Sequence, residues 1–305
     1  VRNRPAPGDV RSTATGNWRK LHVGTAPKAR GPWKVSKKRL LTTRPKWMST
    51  NKKASVWAPS LIRGDNGKFV VYYSGVVKGT KGRRCIGSAT GNSATHAFHP
   101  DSRPIACWKG SGTSPKDKIK SEGAGFSLID PTPARIGNTT VLTYKTQFRA
   151  HGKWHTTIRM VKLNSASPNH VVANPVHANG QSIRLTNSWS KYIEENPVLV
   201  KHGKRYTLFT SFGWFGRCNY VTRYRQNTSL WTGWKHKKAA NLKFPANTNT
   251  CGRGNAQVMR GTKSGTWRIF FNGHPDGPEP GHGPKGLYVG SVAWHHGRPS
   301  VTAIL

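Results

Sequence analysis

Short apolar runs alternate with polar turns along almost the whole chain, and the alternation falls into repeated pairs. The clearest pair begins Tyr192-Ile193-Glu194-Glu195-Asn196-Pro197-Val198-Leu199-Val200, turns at His202-Gly203-Lys204 and returns as Tyr206-Thr207-Leu208-Phe209-Thr210-Ser211. Three other stretches share this plan. Trp57-Ala58-Pro59-Ser60-Leu61-Ile62-Arg63 turns through Gly64-Asp65-Asn66-Gly67 into Phe69-Val70-Val71-Tyr72-Tyr73-Ser74. Ile129-Asp130-Pro131-Thr132-Pro133-Ala134-Arg135-Ile136 turns at Gly137-Asn138 into Val141-Leu142-Thr143-Tyr144-Lys145, and Gly254-Asn255-Ala256-Gln257-Val258-Met259-Arg260 precedes Trp267-Arg268-Ile269-Phe270-Phe271. Two strand-length runs joined by a glycine or asparagine turn predict a hairpin. A further strand-like run recurs five times, at Leu21–Ala26, Cys85–Thr90, Ile158–Leu163, Tyr220–Arg225 and Leu287–Val292. The unmatched leading hairpin belongs before residue 21, where Val1 to Trp18 holds no run of strand length.

The step from Pro59 to Pro131 is 72 residues and from Pro131 to Pro197 is 66, which suits a four-stranded propeller blade with generous loops better than a short solenoid repeat. No segment keeps a 3.6-residue apolar period long enough for a core helix, and 33 glycines and 20 prolines punctuate the chain. The pattern predicts an all-β, five-bladed β-propeller with its first blade incomplete at the N-terminus. It is expected to be a single domain over residues 1–305, irregular over residues 1–17, and monomeric. No run approaches the ~18 apolar residues of a membrane span. Nothing at the start reads as a signal peptide, and a chain opening at Val1 fits either a processed, secreted protein or a trimmed one.

Charge changes this picture. Fifty Lys and Arg stand against ten Asp and Glu, a net charge of +40. Such a field attracts polyanions and is screened by salt, so non-specific polyanion binding is expected. The cations are scattered, with few clusters beyond Lys37-Lys38-Arg39, Arg83-Arg84 and Lys235-His236-Lys237-Lys238; the plain alternative for each is a solvated basic surface. Four cysteines without a C-x-x-C pair argue against zinc and for two disulfides in an oxidising compartment. Cys85 with Cys107 and Cys218 with Cys251 is one pairing their placement allows, and free buried thiols are the plain alternative.

Chemistry falls to the few acids, since the chain holds no P-loop, G-x-S-x-G or H-E-x-x-H. Asp65 reads as a turn residue, and Asp101 and Asp117 look ordinary. Asp130 and Glu195 each open the first strand of a repeat, and innermost strands of different blades meet at the propeller axis. Two carboxylates there could do acid/base work on a glycosidic bond; the alternative is a turn cap or a pairing with one of the many cations. Glu194 should face the other side of its strand. Twelve tryptophans are enough for a sugar-stacking wall. Trp57, Trp214 and Phe215 are the candidate substrate-binding residues, with Trp47, though each could equally pack between blades.

In this order, Trp57-Ala58-Pro59, Cys85-Ile86-Gly87-Ser88-Ala89-Thr90, Cys107, Ile129-Asp130-Pro131 and Glu195-Asn196-Pro197 resemble the family 43 glycoside hydrolases and their five-bladed arabinanase and arabinofuranosidase relatives, over roughly residues 18 to 292. The resemblance implies hydrolysis with inversion by three acids: a general base on the first blade, a pKa-tuning and orienting Asp matched by Asp130, and a general acid matched by Glu195. Burial is expected to raise the Glu195 pKa. Asp9 is the one acid upstream of Asp65 and so the candidate base, but it lacks the family's Asp-Pro and following apolar strand; Ser60 stands where relatives carry Asp. His274 resembles the family's axial histidine, which can face a central ion such as calcium; no cofactor is required. The implied substrate is a carbohydrate polymer, arabinan or arabinoxylan side chains. The alternative is a non-catalytic basic propeller that binds acidic polysaccharide, cell-wall polymer or nucleic acid.

Overall fold

The computed structural model describes residues 21–36, 39–51, 54–246, 250–275 and 285–305, which hold strands and no helix. A ribbon of β1 (Gly24–Thr25) and β2 (Lys34–Val35) comes first. The second unit holds β3 (Trp57–Arg63), β4 (Phe69–Val76), β5 (Arg84–Gly91), β6 (His99–Pro100), β7 (Ala106–Trp108) and β8 (Asp117–Ile119). The third holds β9 (Ser127–Ile136), β10 (Thr139–Ala150), β11 (Lys153–Leu163), β12 (Val171–Val172), β13 (Ile183–Arg184) and β14 (Ser188–Ser190). The fourth is β15 (Ile193–His202), β16 (Arg205–Gly213), β17 (Val221–Asn227) and β18 (Ala240–Asn241), and the fifth β19 (Thr250–Arg260), β20 (Trp267–Pro275), β21 (Gly286–His295) and β22 (Arg298–Ile304). Within each large sheet the main strands pair in chain order and antiparallel, apart from the parallel β7–β8 pair.

The innermost strands β3, β9, β15 and β19 touch in succession. The first unit fills the gap between the last and the second. On one side Trp33 meets Phe270 edge to face at 6.3 Å, and on the other Leu41 bridges Phe98 and Met48 bridges Val77. The result is the five-bladed propeller that the repeats predict, with one difference. Of the Leu21–Ala26 run only Gly24–Thr25 is strand, and Pro27, which has no N–H to give a ladder, follows at once.

Sheets pack face to face, so a central strand must be apolar on both sides. In β15, Leu199 enters the cluster with Ala134, Val141 and Ile158 of the third blade, while its neighbours Val198 and Val200 enter the cluster with Val258, Ile269 and Phe271 of the fifth. This is the period-two geometry of a strand, and each such residue contributes roughly 1.5–3 kcal/mol by burial. Trp47, a candidate for the sugar wall, belongs here instead: it is 7% exposed and stacks on Tyr73.

Every large blade bulges its innermost strand at the same place. Ala58, Asp130, Asn196 and Asn255 have φ of 46, 59, 51 and 53°, and the pairing register slips beside each. Proline follows three of them, and a bulge is where a sheet tolerates a residue that cannot donate. Four non-glycine residues in the left-handed region, each costing ~1–2 kcal/mol, mark a feature that serves a site.

Candidate active site

The bulges fix which residues are equivalent. Register pairs Trp57 with Ser74, Ile129 with Lys145, Glu195 with Ser211 and Gly254 with Asn272. Asp130 therefore corresponds to Asn196, and Glu195 to Ile129; they are not the matched strand openers that the sequence suggests. They meet because adjoining positions on neighbouring blades meet.

The partner positions reveal a break in the repeat. Ser74 accepts the bulge N–H of Asp130 at 3.3 Å, and Ser211 accepts that of Asn255 at 2.7 Å. The third blade has Lys145 at this position, and the Asn196 N–H turns to the Asp130 carboxylate instead, at 3.2 Å. Lys145 is 2% exposed, and its ammonium lies 2.6 Å from Glu195 Oε2 and 3.4 Å from Asp130 Oδ2. One buried cation thus joins the two carboxylates, whose side chains remain 10% and 15% exposed and so within reach of a ligand. Tyr220 donates to Glu195 Oε1 at 2.8 Å and accepts from Asn196 Nδ2 at 2.6 Å. Gly254 makes room for this phenol, since a Cβ there would stand 2.2 Å from the Tyr220 ring.

Electrostatics separate the two acids. Burial pushes Asp130 up, and the Glu195 charge adds to the rise, more than Lys145 and the Asn196 N–H pull it down. Burial also pushes Glu195 upward, but the Lys145 charge and hydrogen bond, the Tyr220 hydrogen bond and the Lys285 charge outweigh it, so Glu195 lies below the usual carboxylate range. This corrects the expectation of a raised Glu195. Lys145 is held above its usual value, because the two carboxylates overcome the opposing effect of burial. Burial brings Lys285 down to about 8, against the Glu195 charge. Its ammonium sits 4.6 Å from the Tyr220 ring centre and 5.7 Å from that of Phe215.

The predicted aromatics connect to this cluster through intervening residues. Trp57 occupies in its blade the position that Glu195 holds in the fourth, and it is 41% exposed. Its ring lies against the Arg84 guanidinium at 3.4 Å, which donates to the Ser55 and Ser74 carbonyls. Such a cation under one face fixes the ring. Trp214 and Phe215, on the β16–β17 connection, are exposed with ring centres 5.7 Å apart, and Lys285 ties Phe215 to the Tyr220 side of the cluster. Ser60 donates to the Pro131 carbonyl and links the second and third blades.

The other described acids are engaged elsewhere. Asp65 pairs with Arg135, Asp101 accepts from Ser88 and Asn169, Asp117 accepts from Tyr144 and the Ser182 amide, and Glu122 lies between His155 and Arg184. Glu194 faces away from its neighbour, accepting from Thr210 and Arg225. Asp9 lies outside the described residues, as do Asp276 and Glu279. His274 is buried on β20 opposite Cys251. No group of three or more His, Cys, Asp or Glu side chains suited to a metal occurs among the described residues. Both disulfides are formed, Cys85–Cys107 and Cys218–Cys251.

A sequence model of the glycosyl hydrolases family 43 matches residues 28–288. The chain belongs to that family. Over 202 residues this family 43 chain is 26% identical to the probable arabinan endo-1,5-alpha-L-arabinosidase C of Aspergillus flavus, covering 65% of this chain and 53% of that protein. It thus spans about half the length of the curated relatives it matches. Among solved structures, a thermostable family-43 glycoside hydrolase superposes with a TM-score of 0.69 at 16% identity, over 92% of this chain and 85% of that one. A mutant of the Cellvibrio cellulosa alpha-L-arabinanase gives 0.62 at 17% identity, over 92% and 88%. These family 43 likenesses concern the fold.

Lys145, Tyr220 and Lys285 escaped the sequence reading. Lys145 was one cation among fifty. The available signal was its place, a lysine on a second strand where the second and fourth repeats carry Ser74 and Ser211.

Proposed function

We propose that this family 43 chain is a secreted, inverting glycoside hydrolase that cleaves furanoside links in arabinan or arabinoxylan side chains. The observation that carries the reading is the Asp130–Lys145–Glu195 cluster at the bulged inner strands, with Trp57 exposed at the bulge of the neighbouring blade's inner strand. A furanose stacks on Trp57, Glu195 protonates the leaving oxygen, and Asp130 orients that acid and tunes its pKa. Lys145 within 2.6 and 3.4 Å of the two carboxylates keeps those oxygens within about 6 Å of each other. An inverting acid and base stand ~6.5–9.5 Å apart, to admit water, so Asp130 is too near Glu195 to be the base. The base is then one of the acids outside the described residues, with Asp9 the first choice and Asp276 and Glu279 the others. No cofactor is required. Two disulfides fit an oxidising, extracellular setting, and no described helix is long and apolar enough to cross a membrane.

The test is to follow hydrolysis of linear arabinan by proton NMR. Initial product of inverted anomeric configuration supports the reading, with Asp9→Asn silent and Asp276→Asn and Glu279→Gln active. Retained configuration or no product from the native chain contradicts it. One observation favours the non-catalytic alternative: both Glu195 oxygens already accept hydrogen bonds and its pKa is depressed, which suits a fixed anion better than a resting acid. Tight binding of oligosaccharide without any turnover across the acid pH range would select that reading.

A further inference from the structure

The fourth and fifth blades leave a groove of about 450 Å³ far from the cluster just described. His202, Trp267, Trp294, Arg268, Ser291 and Thr266 line it. Its place follows from strand direction. Glu195 lies near the start of β15, and His202 ends the same strand seven residues later, roughly 23 Å along at ~3.3 Å per residue. Trp267 begins β20, whose far end carries Asn272 beside the bulge, and Trp294 lies near the end of β21. The groove therefore opens on the face of the propeller opposite the axial site.

Its chemistry is built for a ring with hydroxyl groups. Trp294 and His202 stack with centres 4.4 Å apart and planes at 4°, and buried Trp267 meets both edge-on, at 5.4 and 6.1 Å. The stack is thus held in one orientation while Trp294 and His202 remain partly exposed. Burial, helped by the Arg260 charge, lowers the His202 pKa, so its imidazole is neutral near pH 7. Polar groups stand beside the stack. Arg268 donates to Ser291 Oγ at 2.8 Å, leaving further N–H groups of the guanidinium to give. The indole Nε1 of Trp294 is fully buried and has no acceptor among the described residues. Being buried, this N–H is out of reach of a ligand in the groove and is no part of its binding surface. A flat apolar ring stack beside guanidinium and hydroxyl groups matches a sugar, whose C–H face packs on aromatic rings and whose hydroxyls bond to such groups. Arg268 in the lining and Arg260 nearby also make the local potential positive, so a single-stranded nucleic acid is the rival occupant that competition with a DNA oligonucleotide separates from a sugar. His202 is neutral, and Arg260 lies over the Trp267 ring at 5.0 Å.

We propose that this groove is a second carbohydrate-binding site, holding a neutral segment of polysaccharide on the face opposite the hydrolytic mouth. The choice of sugar rests on the hydrolase reading, whereas the existence of the site does not. A chain captured there would keep the molecule on its polymer between cleavage events without entering the reaction.

The full chain is run through native gels containing linear arabinan, and arabinohexaose binding is followed by calorimetry. The native protein is compared with His202→Ala, Arg268→Ala and Trp294→Phe, the last keeping a ring in the stack while shrinking the face it offers. We expect about two arabinohexaose molecules per native chain and one per variant. Gel retardation should weaken at least ~5-fold, and turnover of a small aryl arabinofuranoside should stay within about twofold. Unchanged retardation and stoichiometry in all three variants would overturn the site, as would displacement of arabinohexaose by a single-stranded DNA oligonucleotide at equal concentration. A native chain that hydrolyses nothing but loses arabinohexaose binding in these variants would sink the hydrolase reading and leave this one standing. A chain that hydrolyses arabinan normally with no second binding event would do the reverse.

Discussion

Because the Lys145 ammonium lies within ion-pair distance of both Asp130 and Glu195, replacing it changes two carboxyl groups at once. Glu195 is below its usual range because Lys145, with Tyr220 and Lys285, overrides burial. Deleting the cation therefore raises Glu195. A general acid works only while it holds its proton, so kcat/KM falls as pH climbs through its pKa. Lys145→Met should move the alkaline limb of the kcat/KM profile to higher pH, whatever it does to the maximum; an unmoved limb would mean that Glu195 is not the acid. Stability has its own sign. Glu195, depressed on folding, contributes above the ordinary carboxylate range of ~4.3 and loses that contribution as pH falls through its own lower value. Lys145, raised on folding, contributes below the ordinary lysine range of ~10.4 and loses it as pH rises through its own higher value. The pair is thus intact across neutral pH, and urea denaturation should show Lys145→Met less stable there than the native chain. An equal midpoint at pH 7 would contradict this. Glu195 and Asp130 were legible in the sequence because acids are so scarce, and Trp57 because it opens a repeat. Lys145 was hidden because its meaning lies in a register that only pairing reveals.

At the scale of the strand, the bulge decides what reaches the axis. It offsets the residue before the proline from the residue two before it, so sequence reading singled out the two acids that meet at Lys145 but gave them the wrong equivalence. Gly254 shows the same device used for space. A methyl group there would meet the Tyr220 ring at 2.2 Å and push its hydroxyl away from Glu195. Gly254→Ala should therefore lower kcat on arabinan about as much as Tyr220→Phe, with the two losses not adding, since both remove one hydrogen bond. Fully additive losses would show that Gly254 acts elsewhere. The hairpins were readable because each alternates apolar residues between two turns; the short outer strands such as β6, β12 and β18 were not, since two-residue pairings leave no period in a sequence.

For the molecule as a whole, charge is expected to act separately from the axial cluster. The axial carboxylates face one buried lysine and one partly buried one, while most of the fifty basic residues lie along the rest of the chain. Retention on pectin or DNA should weaken steeply from low salt to ~0.5 M, where the screening length is only a few ångström. Turnover of a neutral aryl furanoside should change little over the same range; if it collapsed in step with retention, the cations would belong to substrate recognition. The repeated hairpins and the lack of helix among the described residues were visible in the pattern of the chain, whereas the expected first-blade gap lies outside the described residues; the contact of Trp33 with Phe270 was not visible, because it joins residues from opposite ends. The claim that Glu195, held by Lys145 and Tyr220, is the general acid of the cluster meets its most direct test in the initial rate on unactivated linear arabino-oligosaccharide, native chain against Glu195→Gln. The account expects clear hydrolysis by the native chain and a ~10²–10⁴-fold loss in the variant, the usual contribution of a general acid. Equal rates, with both proteins folded, would contradict it.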